Sequence, residues 1–413
     1  MTAVPLRRNR DFVLLQTGQL LSNLGTQLTV IAYPLLVLAL TGSATKAGFV
    51  AFARFLPRAL FAMPAGVVAD RWSRKWLMVW ADAVRVAAAG VLVLVIVLDG
   101  SPWLIPVIAF VEGTAGTFFS AAYPGAVRAV VTLGQLPDAM AVQTGRGAVV
   151  QLAGAPLGGA LFTVARALPF VADMLSYAFS TLSVLAMRTT FQEEREKDVS
   201  PLRSQLMEAV RYIWHQPFLR TCALVFGPLS FVGYSLVFAV VVIGTDQGLS
   251  GGAVGLLVSA FFACALLGTF LATYVRRALP PWGVLVLELW TWVGCAVFLV
   301  WPSVYVLIVS MLPSALAMPS TDSVVHGYRI AMTPDRLLGR AEAVWGTFAL
   351  MMATVGPLVM GYLIEEVSAR AAVGVCALVA LALALWATSS PAIRAAPDIE
   401  ELGAAGAVTQ STA

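Results

Sequence analysis

Long apolar runs separated by short polar breaks dominate the pattern of the chain. Six runs lie near residues 12–40, 47–69, 76–98, 103–127, 144–165 and 168–187. Six more lie near residues 218–245, 251–275, 282–300, 304–326, 341–364 and 369–389. A helix needs about 20 mostly apolar residues to cross the hydrocarbon layer of a membrane. The pattern therefore predicts an all-α membrane protein with twelve transmembrane helices, numbered here as spans one to twelve.

Two polar segments divide and end this pattern. Residues 188–216 are rich in charge, and we expect a cytoplasmic linker there with one amphipathic helix. The apolar residues of that helix recur at helical spacing: Leu202, Leu206, Ala209, Val210 and Ile213. The linker would join an N-terminal six-helix bundle, residues 1–187, to a C-terminal six-helix bundle, residues 217–390. Residues 391–413 have few large apolar side chains and predict a disordered cytoplasmic tail.

The composition narrows the class of protein further. Hydrophobic residues make up 59% of the 413 residues and charged residues only 12%, whereas a soluble domain carries about 25% charged residues. The net charge of +4 is spread along the chain, so no nucleic-acid partner is expected. Walker and HExxH patterns are absent from the sequence, which argues against an enzyme and against ATP as energy source. The four cysteines lie in apolar runs without CxxC spacing, and we expect neither a metal site nor a cofactor.

The basic residues concentrate in alternate loops. With a cytoplasmic N-terminus, one face of the membrane receives most of them, including Arg7, Arg71 and Arg277. The opposite face receives only Lys46, Arg166 and Arg370. This asymmetry follows the positive-inside rule. It predicts a multi-pass protein of the inner (cytoplasmic) membrane with both termini in the cytoplasm.

The two halves repeat one another at a nearly constant offset of about 200 residues, as duplicated sequences do. A glycine followed eight residues later by two basic residues occurs at Gly66 and again at Gly268. Gly154 and Gly159 of span five return as Gly356 and Gly361 of span eleven. The repeat predicts two six-helix halves related by a pseudo-two-fold axis, with a site for cargo between them.

Three stretches of sequence resemble the major facilitator superfamily. Residues 66–75 read GVVADRWSRK, similar to the superfamily's G-x-L-A-D-R-x-G-R-K loop signature. Residues 154–159 read GAPLGG, similar to the G-P-x-x-G-G motif of its exporters. Residues 41–44 and 168–173 resemble the branch that contains enterobactin and macrolide exporters. The resemblance implies a secondary active transporter that works by alternating access.

The loop between spans two and three is predicted to act as a gate. Asp70 lies at the C-terminal end of a helix, where an anion is unfavourable without a positive partner. We expect Asp70 to dock at the start of span eleven near Arg340, and the resemblance implies the same latch for this loop. The latch residues are Asp70, Arg71, Arg74 and Lys75. The alternative is that these charges only fix the topology.

Glu112, in the middle of span four, is the first candidate for proton coupling. Charged residues deep in a membrane span are costly and are usually functional or paired. The resemblance places spans one, four, seven and ten around the central cavity. A carboxylate there could bind a proton in competition with a cationic or polar cargo. The alternative is a structural ion pair with Arg54 or Arg58 of span two.

Asp322 in span ten is the second candidate for proton coupling. It could share a proton with His326 one turn later, or it could anchor Arg329. The predicted substrate-binding residues are Asn23, Gln27, Arg58 and Tyr234. The polar residues of span one could instead bridge neighbouring helices.

Together these features predict a monomeric exporter of small amphipathic molecules, such as antibiotics, siderophores or other natural products. Export would proceed by proton antiport, so that the partners are the cargo, protons and the lipid bilayer. The alternative within transport is proton-linked uptake of a small nutrient or metabolite.

Overall fold

The computed structural model describes residues 5–189 and 202–396, and helices dominate this part of the chain. The helices are α1 (Arg10–Thr41), α2 (Ala44–Arg71), α3 (Arg74–Val97), α4 (Leu104–Val130), α5 (Leu136–Val164), α6 (Leu168–Ala186), α7 (Leu202–His215), α8 (Pro217–Asp246), α9 (Gly251–Ala278), α10 (Pro281–Val293), α11 (Val304–Met332), α12 (Asp335–Glu366), α13 (Ala369–Ser389) and α14 (Pro391–Arg394). Short 3-10 helices occupy Leu6–Arg8, Leu133–Gln135 and Gly294–Leu299.

The twelve predicted spans are confirmed. Twelve helices in the described part of the chain are long and apolar enough to cross a membrane. They are α1–α6 and α8–α13, with the 3-10 helix Gly294–Leu299 completing the span that α10 begins. The apolar runs of the sequence therefore identified every span.

Local sequence explains where several helices begin and end. The side chain of Asn9 accepts a hydrogen bond from the backbone N–H of Phe12 and so caps the start of α1. Ser43 caps α2 in the same way by accepting from the N–H of Lys46. Between them, Gly42 adopts a φ of 65°, a left-handed conformation that ends α1 without steric cost.

The predicted amphipathic helix of the linker is present as α7. Its Glu208 forms ion pairs with Arg336, at 2.6 Å, and with Arg340, at 3.4 Å, in the first turns of α12. Its Tyr212 donates a hydrogen bond to the carbonyl of Met332 at the end of α11. Partial burial raises the pKa of Tyr212 above its ordinary value, so the hydroxyl remains a donor at neutral pH. The start of the linker, residues 190–201, lies outside the described residues.

The chain forms two compact units that do not follow the chain order strictly. The first unit contains residues 1–196 together with residues 240–259 and 357–365. The second contains residues 197–239, 260–356 and 366–413. The end of α8, the start of α9 and the end of α12 therefore pack with the first six helices.

Close helix crossings hold these added segments to the first unit. A Cβ atom on Gly159 of α5 would collide with the backbone of Gly251 at the start of α9. One on Gly361 of α12 would collide with the backbone of Ala44 at the start of α2. The side chain of Glu365 then accepts two hydrogen bonds at the start of α2, each 2.7 Å long, from the hydroxyl of Ser43 and the N–H of Thr45.

The second unit has an apolar interior in which α10 packs against both α11 and α13. Phe298 of the 3-10 helix is fully buried there. The first residues of the predicted disordered tail are ordered: Pro391–Arg394 form α14, and Ile393 is fully buried. Residues 397–413 of the predicted tail lie outside the described residues.

Candidate functional site: a polar pocket in the first unit

A polar pocket of about 450 Å³ lies among α1–α6 of the first unit. Its volume falls in the range of about 300–1,000 Å³ that is typical of small-molecule sites. Every helix from α1 to α6 contributes to its wall. The charged wall residues are Arg54, Arg58, Arg85, Arg146 and Glu112.

Glu112 is held by two tyrosines from neighbouring helices. The hydroxyl of Tyr33 on α1 donates to its Oε2 at 2.6 Å. The hydroxyl of Tyr177 on α6 donates to its Oε1 at 3.1 Å. All three side chains are almost completely buried. Because a hydrogen bond to a charged acceptor is about twice as strong as a neutral one, the two hydroxyls stabilise the ionised carboxylate.

A guanidinium group also lies over the ring of each of these tyrosines. The guanidinium of Arg54 lies 4.7 Å from the ring centre of Tyr33. That of Arg85 lies 3.6 Å from the ring centre of Tyr177. Cation–π contacts of this kind gain strength where water is excluded. Glu112 thus fixes two tyrosines, and the two tyrosines position two arginines.

Further hydrogen bonds join the arginines to a second buried carboxylate. Arg54 donates through Nη2 to the hydroxyl of Thr29, at 2.7 Å. That hydroxyl lies 3.2 Å from Oδ2 of Asp173 on α6. Gly25 lets α1 approach α6 here, because a Cβ atom on it would lie 2.5 Å from Asp173 Oδ1. The result is a buried polar network that reaches from α1 to α6 behind the pocket wall.

Arg85 forms an ion pair with a buried carboxylate of its own helix. Its Nη1 lies 3.0 Å from Oδ1 of Asp82, which is fully buried one turn earlier on α3. Its Nη2 donates to the hydroxyl of Thr26 on α1 at 2.9 Å. The hydrogen bond from Arg85 to Thr26 ties α3 to α1 beside the pocket.

Arg146 and Arg58 lie nearer to the open part of the pocket. Nη1 of Arg146 donates to the side-chain oxygen of Gln16 at 2.7 Å. The side chain of Arg58 is exposed, and it follows Arg54 by one helical turn on α2. No carboxylate of the described residues forms an ion pair with Arg58 or Arg146.

Three of the predicted site residues meet in this pocket: Asn23, Arg58 and Glu112. Within the described residues, neither Arg54 nor Arg58 comes within ion-pair distance of Glu112, whose hydrogen-bond donors are tyrosines. Gln27 packs closely against Gly154 of α5 instead of lining the pocket.

The remaining substrate and proton candidates lie in the second unit. Tyr234 is 48% exposed, and Asp322 is also exposed. Arg329 pairs with Glu342 rather than with Asp322, and His326 lies 3.9 Å from the same Glu342. Asp322 and His326 therefore remain candidates without a shared contact, and their proposed proton role stays a prediction.

The loop residues predicted to form the latch make local contacts in the first unit. Asp70 pairs with Arg74 at 3.6 Å and is half exposed. Lys75 donates to the carbonyls of Leu185 and Met187 at the end of α6. These contacts anchor the loop to its own unit, and the docking of Asp70 on span eleven stays a prediction.

Several residues of the site were not singled out from the sequence as pocket residues. Tyr177, Arg146 and Gln143 reach the pocket through the packing of α5 and α6 against α1, which sequence spacing does not reveal. The sequence could have identified Arg146 as a candidate, because a charged residue ten residues into a membrane helix is unusual. In the part of the chain that the structure describes, no group of three or more potential ligands could hold a metal ion.

Comparisons with known proteins agree with this architecture. A family model described as "Transmembrane secretion effector" matches residues 2–403. The multidrug efflux pump Tap of Mycolicibacterium fortuitum is 28% identical over 228 residues, which are 52% of this chain and 54% of that protein. The macrolide efflux protein A of Streptococcus pyogenes is 23% identical over 192 residues, 46% of this chain and 47% of that protein. The chain thus matches about half the length of these curated relatives.

Solved structures share the whole fold. A bacterial homologue of the human lysosomal transporter Spinster superposes with a TM-score of 0.72 at 15% sequence identity, covering 94% of this chain and 97% of that one. A variant of the nucleoside transporter NupG superposes with a TM-score of 0.71 at 12% identity, covering 91% and 98%. At such low identity the likeness concerns the fold alone.

Proposed function

The chain belongs to the transmembrane secretion effector family of the major facilitator superfamily, and on this premise we propose that it exports small amphipathic molecules in exchange for protons. The cargo would be an antibiotic, a siderophore or another natural product. Two relatives named as efflux proteins support the outward direction. We further propose a monomer in the inner membrane, with both termini cytoplasmic and the Asp70 loop as its cytoplasmic latch.

The observation that carries the proposal is the environment of Glu112. It is the only carboxylate among the residues that line the described pocket, and it is buried at the centre of the polar network. A carboxylate removed from water and held by nearby hydrogen bonds is well suited to bind and release a proton during a transport cycle.

The tyrosine contacts suggest how a proton and the cargo would exclude one another. When Glu112 is ionised, Tyr33 and Tyr177 both donate to it and hold Arg54 and Arg85 in place. A proton on Glu112 removes the charge that attracts both hydroxyls, and each hydrogen bond to a charged group is worth about 1.5–3 kcal/mol. Arg54 and Arg85 would then lose the cation–π contacts that help to position them, and would be held only by their contacts with Thr29, Thr26 and Asp82. Cargo would bind to the ordered pocket, and the proton would bind after the cargo leaves.

The test is transport in inverted membrane vesicles with an imposed pH gradient, using a panel of amphipathic compounds. We expect gradient-dependent accumulation with the wild-type protein and a loss of at least about tenfold with Glu112→Gln. Glu288→Gln is the matched control, because Glu288 is equally buried but lies in α10 of the second unit. We expect this control to transport like the wild type. Equal, gradient-independent flux in wild type and Glu112→Gln would refute proton coupling at this residue.

A second candidate, proton-linked uptake, is favoured by the arginines of the pocket wall. A proton on Glu112 removes a negative charge close to Arg54 and Arg85 and leaves the pocket more positive. If that effect outweighed the loss of arginine positioning, a proton and a negatively charged cargo would bind together and travel inward together. The sign of the pH dependence of cargo binding separates the two schemes: antiport predicts weaker binding at low pH, and uptake predicts stronger binding.

A further inference from the structure

The wall of the described pocket carries an excess of positive charge. Four arginines and one glutamate line it. Two more carboxylates lie behind the wall, Asp82 beside Arg85 and Asp173 beside Thr29. Even with all three carboxylates ionised, the four arginines leave a net positive charge. Arg54 and Arg85 are buried close to these carboxylates, so the surplus lies on Arg58 and Arg146, which line the more open part of the pocket without an ion-pair partner among the described residues. An anionic ligand would supply that partner.

Unused hydrogen-bond donors lie at the same place. Arg54 is 8% exposed, and its Nη1 has no hydrogen-bond partner among the described residues. Nε of Arg85 and Nε of Arg146 are also buried without partners there. An unpaired buried N–H group costs about 1–3 kcal/mol in general. An acceptor that entered the pocket and drew these guanidinium groups onto itself would remove that cost.

Two of the four arginines are placed to contact a ligand directly. Arg58 is exposed and Arg146 is partly exposed, and both line the pocket. Guanidinium groups match the planar geometry of carboxylates, sulfonates and phosphates, which accept two parallel hydrogen bonds. Phe55 and Phe119 in the same wall offer apolar faces for the remainder of a molecule.

We propose that the cargo of this pocket is an amphipathic organic anion, bound through its acidic group by Arg58 and Arg146 and through its apolar body by Phe55 and Phe119. Arg54 and Arg85 contribute unused N–H groups, Nη1 and Nε respectively. The inference rests on the proposed function of the pocket as a transport site. A cationic cargo would have to replace water beside four guanidinium groups with only Glu112 in the wall to attract it, so the pocket selects against cations.

The test uses three probes that share one apolar body: 4-phenylbutyrate, 4-phenylbutylamine and 4-phenylbutanol. Binding to the full-length protein in phosphatidylcholine nanodiscs is measured by calorimetry. We expect the butyrate to bind at least about tenfold more tightly than the amine, since each charge-assisted contact is worth about that factor. Arg58→Gln and Arg146→Gln should each weaken butyrate binding by about tenfold and leave butanol binding unchanged. Arg166→Gln, which alters an exposed arginine of the loop after α5, is the matched control and should bind like the wild type.

Two results would overturn the proposal: the amine binding as tightly as the butyrate, or both glutamine variants keeping wild-type butyrate affinity. If the glutamine variants do not fold, the probe series on the wild type and on Arg58→Lys decides, with the lysine variant expected to retain the preference for the butyrate. Flux assays in proteoliposomes separate this inference from the proposed function. Selective butyrate binding without proton-driven export would refute the function alone, whereas proton-driven export of the amine but not of the butyrate would refute the inference alone.

Discussion

The first six helices and the last six spans repeat one another in sequence, yet they differ sharply in what they bury. The helices α1–α6 bury six charged side chains: Asp11, Arg54, Asp82, Arg85, Glu112 and Asp173. Among the described residues of α8–α13, Glu288 is the one buried charged residue. The helix crossings, by contrast, are preserved in both halves, because Gly159 and Gly361 occupy corresponding positions and both meet backbone.

This contrast separates a feature that both halves share, the close glycine crossings, from one found mainly in the first half, the buried charged network. Close glycine crossings are a requirement of the architecture, since two helices cannot approach so closely over larger side chains. A buried charged network is costly and persists where function requires it. The first half therefore holds most of the buried charged side chains of the described residues, and the corresponding helices of the second half are built mainly by apolar packing.

The largest expected loss of stability follows the removal of a buried acid, and it should differ between the two halves. Asp82→Asn leaves the buried charge of Arg85 without its carboxylate, and we expect a loss of about 3 kcal/mol in unfolding free energy. Glu288→Gln leaves no cation unpaired, because Glu288 accepts its hydrogen bond from the neutral indole N–H of Trp292, and we expect a change near zero. Thermal unfolding in nanodiscs measures both. The double variant Asp82→Asn with Arg85→Gln should recover part of the loss, and equal effects of Asp82→Asn and Glu288→Gln would remove the contrast between the halves.

A smaller loss of stability, similar in the two halves, is expected at the glycine crossings. Gly159→Ala and Gly361→Ala each place a methyl group against backbone, and we expect each to destabilise the protein by about 2 kcal/mol. The matched controls are Gly147→Ala in α5 and Gly346→Ala in α12, where a Cβ atom would meet nothing within 4 Å. Because alanine favours helix more than glycine does, the controls should be neutral or stabilising. Clearly unequal losses for Gly159→Ala and Gly361→Ala would show that the crossings are not equivalent.

The smallest expected loss of stability concerns α7, the helix of the linker between the two halves of the chain. Tyr212→Phe removes the hydrogen bond from α7 to the carbonyl of Met332, and we expect a loss of about 1 kcal/mol. The control Tyr274→Phe alters a tyrosine that is 69% exposed and should leave stability unchanged. Differential scanning fluorimetry on both variants measures the difference. A wild-type melting curve for Tyr212→Phe would mean that α7 is held by its ion pairs with α12 and not by this hydroxyl.

The sequence predicted the elements of the fold because each span is a local property of the chain. An apolar run long enough to cross a membrane is visible without knowledge of its neighbours. Pairs within one helix are equally local, since the i, i+3 spacing of Asp82 and Arg85 allows the contact that the structure shows at 3.0 Å. The short helix α14 was missed, because a four-residue helix has no periodic pattern to reveal it.

The partners of Glu112 could not be read from the sequence in the same way. Its position in the middle of span four marked it as functional or paired, but arginines of span two were the expected partners. The observed donors, Tyr33 and Tyr177, lie 79 and 65 residues away along the chain. Which side chains meet there depends on how α1 and α6 pack against α4, and a single sequence holds no record of that packing.

The composition of the first unit has a consequence for how the protein is synthesised. Its last segment, residues 357–365, leaves the ribosome long after its first six helices have entered the membrane. Until then, the backbone face at Gly48 lacks the segment of α12 that covers it, and Ser43 lacks the carboxylate of Glu365. A chain truncated before α12 would thus carry a complete set of pocket residues in an unfinished unit. Completion of the first unit is therefore expected to be a late event in the biogenesis of this protein, and chains that end before α12 should expose the backbone at Gly48.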